Sequence, residues 1–180
     1  MIWFATGAGV HRQADGGLTI GLVSTVAQEG LAALSVPGLT RPMMTITGGT
    51  PDYDLLDPIS TDTEVIDRVD QLIDVEDRRD RSLWLIFLTA DGIQLPVVVP
   101  VDDMPISPDP DTTGNICHMI THVLRDGGSV VITLVRENGL SVTGPDQQWL
   151  MALKSAAATA GLHLRMLCLA TRDGTRQLDL

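Results

Sequence analysis

With 180 residues, 44% of them apolar and 19% charged, the chain has material for one buried core, and its length argues against two independent domains as its composition does against global disorder. A formal charge of -11 disfavours nucleic acid and anionic membrane surfaces as partners, because an acidic surface repels phosphate. Two cysteines, Cys117 and Cys168, are far too few for a disulfide-stapled secreted domain and fit a reducing, cytoplasmic setting.

Residues 1–43 differ in kind from the rest. They are Gly-rich, their charges (Arg12, Asp15, Glu29, Arg41) cancel, and the breakers Pro37, Gly38 and Pro42 close them. Two readings stand side by side: an N-terminal extension, disordered or arising from a start assigned upstream of Met43 or Met44, and a short helix over Thr25 to Leu34 that packs on the domain. The apolar stretch Leu18 to Val36 contains Gln28 and Glu29 and follows no basic cluster, so it reads as neither a membrane span nor a signal peptide. Gly7-Ala8-Gly9 lacks the glycine spacing and Lys of a phosphate loop. Residues 44–180 are expected to form a single domain.

Thr61 to Glu64 spells a capping box, and Val65, Ile66, Val69, Leu72 and Ile73 mark one apolar helical face, which predicts a helix ending near Val75. The continuous apolar run Leu83 to Leu88 predicts a strand covered on both sides. Asp91-Gly92 supplies positive φ angles for a tight hairpin, returning as Ile93 to Val101; Pro96 makes that strand an edge or the site of a bulge. Asp102 to Asp111 reads as a surface loop. A second helix is expected over Thr113 to Arg125, a buried strand over Ser129 to Val135, and a third helix opening on a Thr143–Asp146 capping box and ending at Gly161. His163 to Leu169, a turn at Asp173-Gly174 and Thr175 to Leu178 complete the order α-β-β-α-β-α-β-β, an α/β fold with a mixed sheet.

Four constellations could carry chemistry. His118 and His122 have the i, i+4 spacing of a zinc helix, but Met119 stands where a catalytic Glu belongs, and both lie opposite the apolar face, so they read as solvated surface histidines. Asp102, Asp103, Asp109 and Asp111 could gather a divalent cation, but Pro105, Pro108 and Pro110 interrupt them, and a solvated acidic loop is the better reading. Cys117 has no well-placed base, and Cys168 lies in an apolar strand. Trp84 and Trp149 sit where packing explains them.

Val130-Val131-Ile132-Thr133-Leu134-Val135-Arg136-Glu137-Asn138-Gly139, followed by Thr143-Gly144-Pro145-Asp146 and a helix to Gly161, resembles the RadC branch of the JAB/JAMM superfamily over roughly Arg81 to Leu178. Ser82-Leu83-Trp84-Leu85 and the strand Pro96 to Asp103 are also similar to a group of actinobacterial-type chains. The resemblance implies JAB and cytidine-deaminase-like layers and a zinc site in which His-x-His after the buried strand and the Asp of Ser-x-x-Asp hold the metal, with an upstream Glu as base for amide or isopeptide hydrolysis. Here the His-x-His positions fall on Val135 to Asn138, the hairpin strand offers Gln94 and no Glu, and Asp146 is the one ligand position that survives. The expectation is therefore no metal, no cofactor and a pseudoenzyme: a JAB-like module for a protein partner, with neither nucleic acid nor membrane. The alternative is a hydrolase rebuilt around Arg136, Glu137 and Asp146.

Overall fold

The computed structural model describes residues 44–45, 57–124 and 127–178; the readings placed on residues 1–43 lie outside them. The elements in chain order are β1 (Met44–Thr45), α1 (Asp62–Leu72), β2 (Ser82–Leu88), β3 (Gln94–Val101), α2 (Pro110–Val123), β4 (Ser129–Val135), α3 (Gly144–Thr159), β5 (His163–Thr171) and β6 (Gly174–Gln177). They form a mixed α/β fold. One sheet runs β1-β3-β2-β4-β5-β6, antiparallel throughout except for β4 and β5, which are parallel and joined through α3.

Every residue of β2 and β4 is buried, so both faces of the sheet need cover. Leu83, Leu85, Phe87, Ile132 and Leu134 point to the side occupied by Ile116, Ile120, Trp149 and Leu153 of α2 and α3. Trp84, Ile86, Leu88, Val131 and Cys168 point to the other, where Val65 and Val69 of α1 lie with Ile73 and Ile59. The result is three layers. The buried Trp149 indole satisfies its N–H by donating to the Pro105 carbonyl (2.9 Å), which seats the loop before α2 on α3.

The local signals hold, with four shifts of boundary or geometry. α1 opens on the expected reciprocal cap at Thr61 and Glu64 but ends at Leu72, and Val75–Asp77 forms a separate 3-10 turn. The β2–β3 hairpin does not use positive φ at Asp91. Its turn is closed by Gly92 N–H donating to Thr89 O, and Gly92 alone takes φ 81° before Thr89 N–H donates to Ile93 O, the three-residue loop with a glycine bulge. A Cβ on Gly92 would meet the Ile59 carbonyl oxygen at 3.2 Å.

Pro96 does mark a bulge: the β2–β3 register slips between Ile86↔Val98 and Leu88↔Gln94, leaving residues 95–97 opposite Phe87. α2 begins three residues earlier than expected, because Asp109 accepts from Thr112 N–H (2.8 Å) as N-cap and Pro110 fills the first helical position. β5 extends to Thr171, so the last turn is Arg172-Asp173 and β6 starts at Gly174.

Phe87 is fully buried between β3, β4 and the α2–α3 layer, whereas Ile106 is 69% exposed. Phe87→Ala is expected to destabilise the chain by about 3–5 kcal/mol, and Ile106→Ser by less than about 0.5 kcal/mol, read as the shift in urea midpoint at constant slope.

Candidate functional site

The parallel strands β4 and β5 end at the same edge of the sheet where β2 begins, since Ser82 pairs with Val135 and Val135 with Ala170. Strand ends of this kind are where side chains leave the apolar layers. Arg81 precedes β2 by one residue, Arg136 follows β4 by one, and Asp146 occupies the third position of α3. Arg81 is further held by its carbonyl, which accepts from Met104 N–H (3.3 Å). The chain turns back there at Asp103, whose φ of 54° is the only left-handed non-glycine value among the described residues.

Asp146 is fully buried. Its Oδ1 accepts from Arg81 Nη2 (3.0 Å). Its Oδ2 accepts from Arg136 Nε (3.2 Å) and from the Thr143 backbone N–H (2.9 Å) and lies 3.1 Å from Arg136 Nη2. Thr143 Oγ1 in turn accepts from Asp146 N–H (3.4 Å), completing the expected capping box. Burial alone would push the Asp146 carboxyl up, but the two Thr143 hydrogen bonds and the charge and donor of Arg136 outweigh it and hold the group below the ordinary carboxylate range. The cluster carries two guanidinium charges on one carboxylate. It is built as a lock, with the Arg136 guanidinium also donating to the carbonyls of Asn138 and Ser141.

The segment after β4 is fastened a second time by the β5–β6 turn. Asp173 Oδ2 accepts from Gly139 N–H (2.7 Å), and the Glu137 carbonyl accepts from Arg172 N–H (2.9 Å). Of the three residues proposed for a rebuilt site, Arg136 and Asp146 meet; Glu137 does not. Its exposed carboxylate lies 3.7 Å from Arg172.

The remaining sequence candidates lie elsewhere. Gln94 pairs across from Leu88, at the opposite end of β2 from Ser82, which at the rise of a strand is roughly 20 Å away. It accepts from Arg68 Nη1 (2.5 Å) in the α1 layer, and its Nε2 has no partner among the described residues. His118 and His122 are exposed, as read from the periodicity, with ring centroids 4.2 Å apart. Asp109 is spent as the α2 cap, and among the described residues no three His, Cys, Asp or Glu side chains are grouped to hold a metal ion. Cys117 and Cys168 are both buried. Burial raises the Cys117 thiol and pushes Cys168 up to about 12, so neither supplies a thiolate nucleophile near neutral pH. A cleft of 210 Å³ beside Lys154, Leu164, Met166 and Leu178 sits toward the start of β5, away from Asp146.

Two arginines were not legible as site residues. Arg81 sits in a charged run whose sequence gives no sign of which member turns inward. Arg78 is buried on the α1 side, where it donates to the carbonyls of Ile73 and Thr171 and to Asp70 (2.7 Å). Comparison with known protein families and with curated proteins found no match to this chain.

Asp146→Asn leaves two largely buried guanidinium groups facing a neutral amide and is expected to destabilise the chain by about 3–5 kcal/mol. Because the folded-state pKa of Asp146 is lowered, its contribution is complete above the unfolded value of about 3.9 and is lost as pH falls through the folded value. The stability gap between wild type and variant should therefore be flat from about pH 5 to 8 and close on acidification below about pH 4, as followed by urea unfolding at each pH.

Proposed function

We propose that this chain is a RadC-type, JAB/JAMM-like domain that has exchanged metal chemistry for an internal ion cluster and works in the cytoplasm as a non-catalytic protein-interaction or scaffold module. The observation that carries the reading is the Asp146 carboxylate closed between Arg81 and Arg136. In the resembled family this Asp holds zinc together with two histidines at the end of the preceding strand. Here that strand end presents Val135, Arg136, Glu137 and Asn138.

These residues do not fit zinc. A catalytic site needs three protein ligands and an open position, whereas both Asp146 oxygens already accept from guanidinium groups. An incoming dication would meet two positive charges within the distance at which like charges repel strongly in a dry site. A hydrolase rebuilt around Arg136, Glu137 and Asp146 would need the Glu137 carboxylate to turn toward the other two, and it lies outward beside Arg172.

The interaction surface best suited to a partner is the loop between β3 and α2. It is seated by Trp149 at Pro105 and presents Ile106 to solvent, with the exposed Asp103 and Asp109 three residues to either side in sequence. An exposed apolar side chain in an acidic loop suits a protein partner with a basic border around an apolar pocket. Among the described residues no helix is long and apolar enough to cross a membrane.

After exhaustive dialysis the purified chain is expected to retain no zinc that depends on Asp146 and to leave peptide and isopeptide substrates uncleaved. Elemental analysis and a cleavage assay check this. Cleavage and about one zinc per chain, both lost in Asp146→Ala, would reverse the reading. On the binding side, Ile106→Asp should keep the circular dichroism spectrum and lose the partners that wild type captures from its native host.

A further inference from the structure

α2 buries Ile116, Met119 and Ile120 and leaves a stripe to solvent. Asp111, Asn115, His118 and His122 recur on it at i, i+4, i+7 and i+11, and all four are exposed. His122 Nδ1 lies 2.8 Å from the His118 carbonyl oxygen. A carbonyl only accepts, so Nδ1 carries the hydrogen, which leaves Nε2 as the ring nitrogen available to a metal ion. Metal-binding histidines are commonly oriented in this way, with the other ring N–H given to a backbone carbonyl.

The His118 ring stands beside it, centroids 4.2 Å apart and planes at 66°. Two metal–nitrogen bonds of about 2.0–2.1 Å at a right angle separate the bound nitrogens by roughly 3 Å, a span comparable with the 4.2 Å between the ring centroids. His122 lies in the last turn of the 14-residue helix, where the negative end of the helix dipole favours a cation. The net charge of -11 adds a favourable long-range field.

We propose that His118 and His122 form a bidentate surface site for a divalent first-row transition metal, with water in the remaining positions. Two imidazoles without thiolate or carboxylate select Cu(II) above Ni(II) and Zn(II), following the intrinsic affinity order, and offer nothing to the oxygen-seeking Mg(II) and Ca(II). The site uses no residue of the Asp146 cluster and does not rest on the non-catalytic reading of it.

Calorimetric titration of Cu(II), and separately Zn(II), into the full chain in a non-coordinating buffer tests the proposal, with electron paramagnetic resonance counting nitrogen ligands on Cu(II). The expected result is one ion per chain and two nitrogens. Affinity should fall at least about 10-fold in His118→Ala and equally in His122→Ala, because a chelate loses the effective concentration of its second arm whichever arm is removed. The double variant, left with no protein ligand, should show no binding at this site, and millimolar Mg(II) should not compete. Unchanged affinity in both single variants would overturn the proposal. So would retention of wild-type affinity at half the stoichiometry, which marks two independent imidazoles, or loss of binding in Asp146→Ala instead.

Discussion

The unbroken burial of β2 and β4 is the constraint on which the rest of the structure depends. A strand whose seven side chains are all buried has no face to turn to water, so helices must lie on both sides, and a flanking strand must satisfy each backbone edge. α1 answers this on one face and the α2–α3 pair on the other. The strand edges are answered by β3 and β5, with β1 and β6 completing the order outward. Polar chemistry is thereby pushed to the ends of the central strands, which is where Arg81, Arg136 and Asp146 meet.

At that end the balance of terms is instructive. A fully buried carboxylate is costly, and one surface cation would not offset it. Asp146 is held by two guanidinium groups and the backbone N–H of its own capping box. Arg136 uses its donors a second time, closing the loop that follows β4 onto the carbonyls of Asn138 and Ser141. Arg78 does comparable work on the α1 side, joining the end of α1 to Thr171 at the end of β5. A planar fork of five donors suits both tasks, which gives physical content to a chain with a single lysine, Lys154, among twelve cationic side chains.

A lock of this kind favours rigidity over reactivity. Its carboxylate is depressed, its arginines are committed, and the flanking segment is pinned by Asp173 and Arg172 of the β5–β6 turn. The exposed features lie elsewhere: Ile106 in the loop before α2, and the histidine pair on the outer stripe of that helix. The first precedes α2 in the chain and the second lies on it, and α2 packs on the side of the sheet opposite α1.

What the sequence determined by itself was local. The capping boxes at Thr61–Glu64 and Thr143–Asp146, the buried runs of β2 and β4 and the solvated face of His118 and His122 each depend on residues within a turn or a strand of one another, whereas Pro96 left an edge and a bulge both open until the register showed the bulge. The departures are local too. The acidic, proline-rich run hides an N-cap followed by proline at Asp109-Pro110, and the final turn falls one residue earlier than its Asp-Gly pair suggests because Ala170 and Thr171 stay buried inside β5. Only the tertiary structure decided the chemistry at the sheet end. Arg81 lies 65 residues from Asp146, and nothing in either neighbourhood states that they touch. That contact exists because β2 pairs with β4 in a register set by packing on both faces, and because α3 delivers a buried carboxylate that two guanidinium groups must then neutralise.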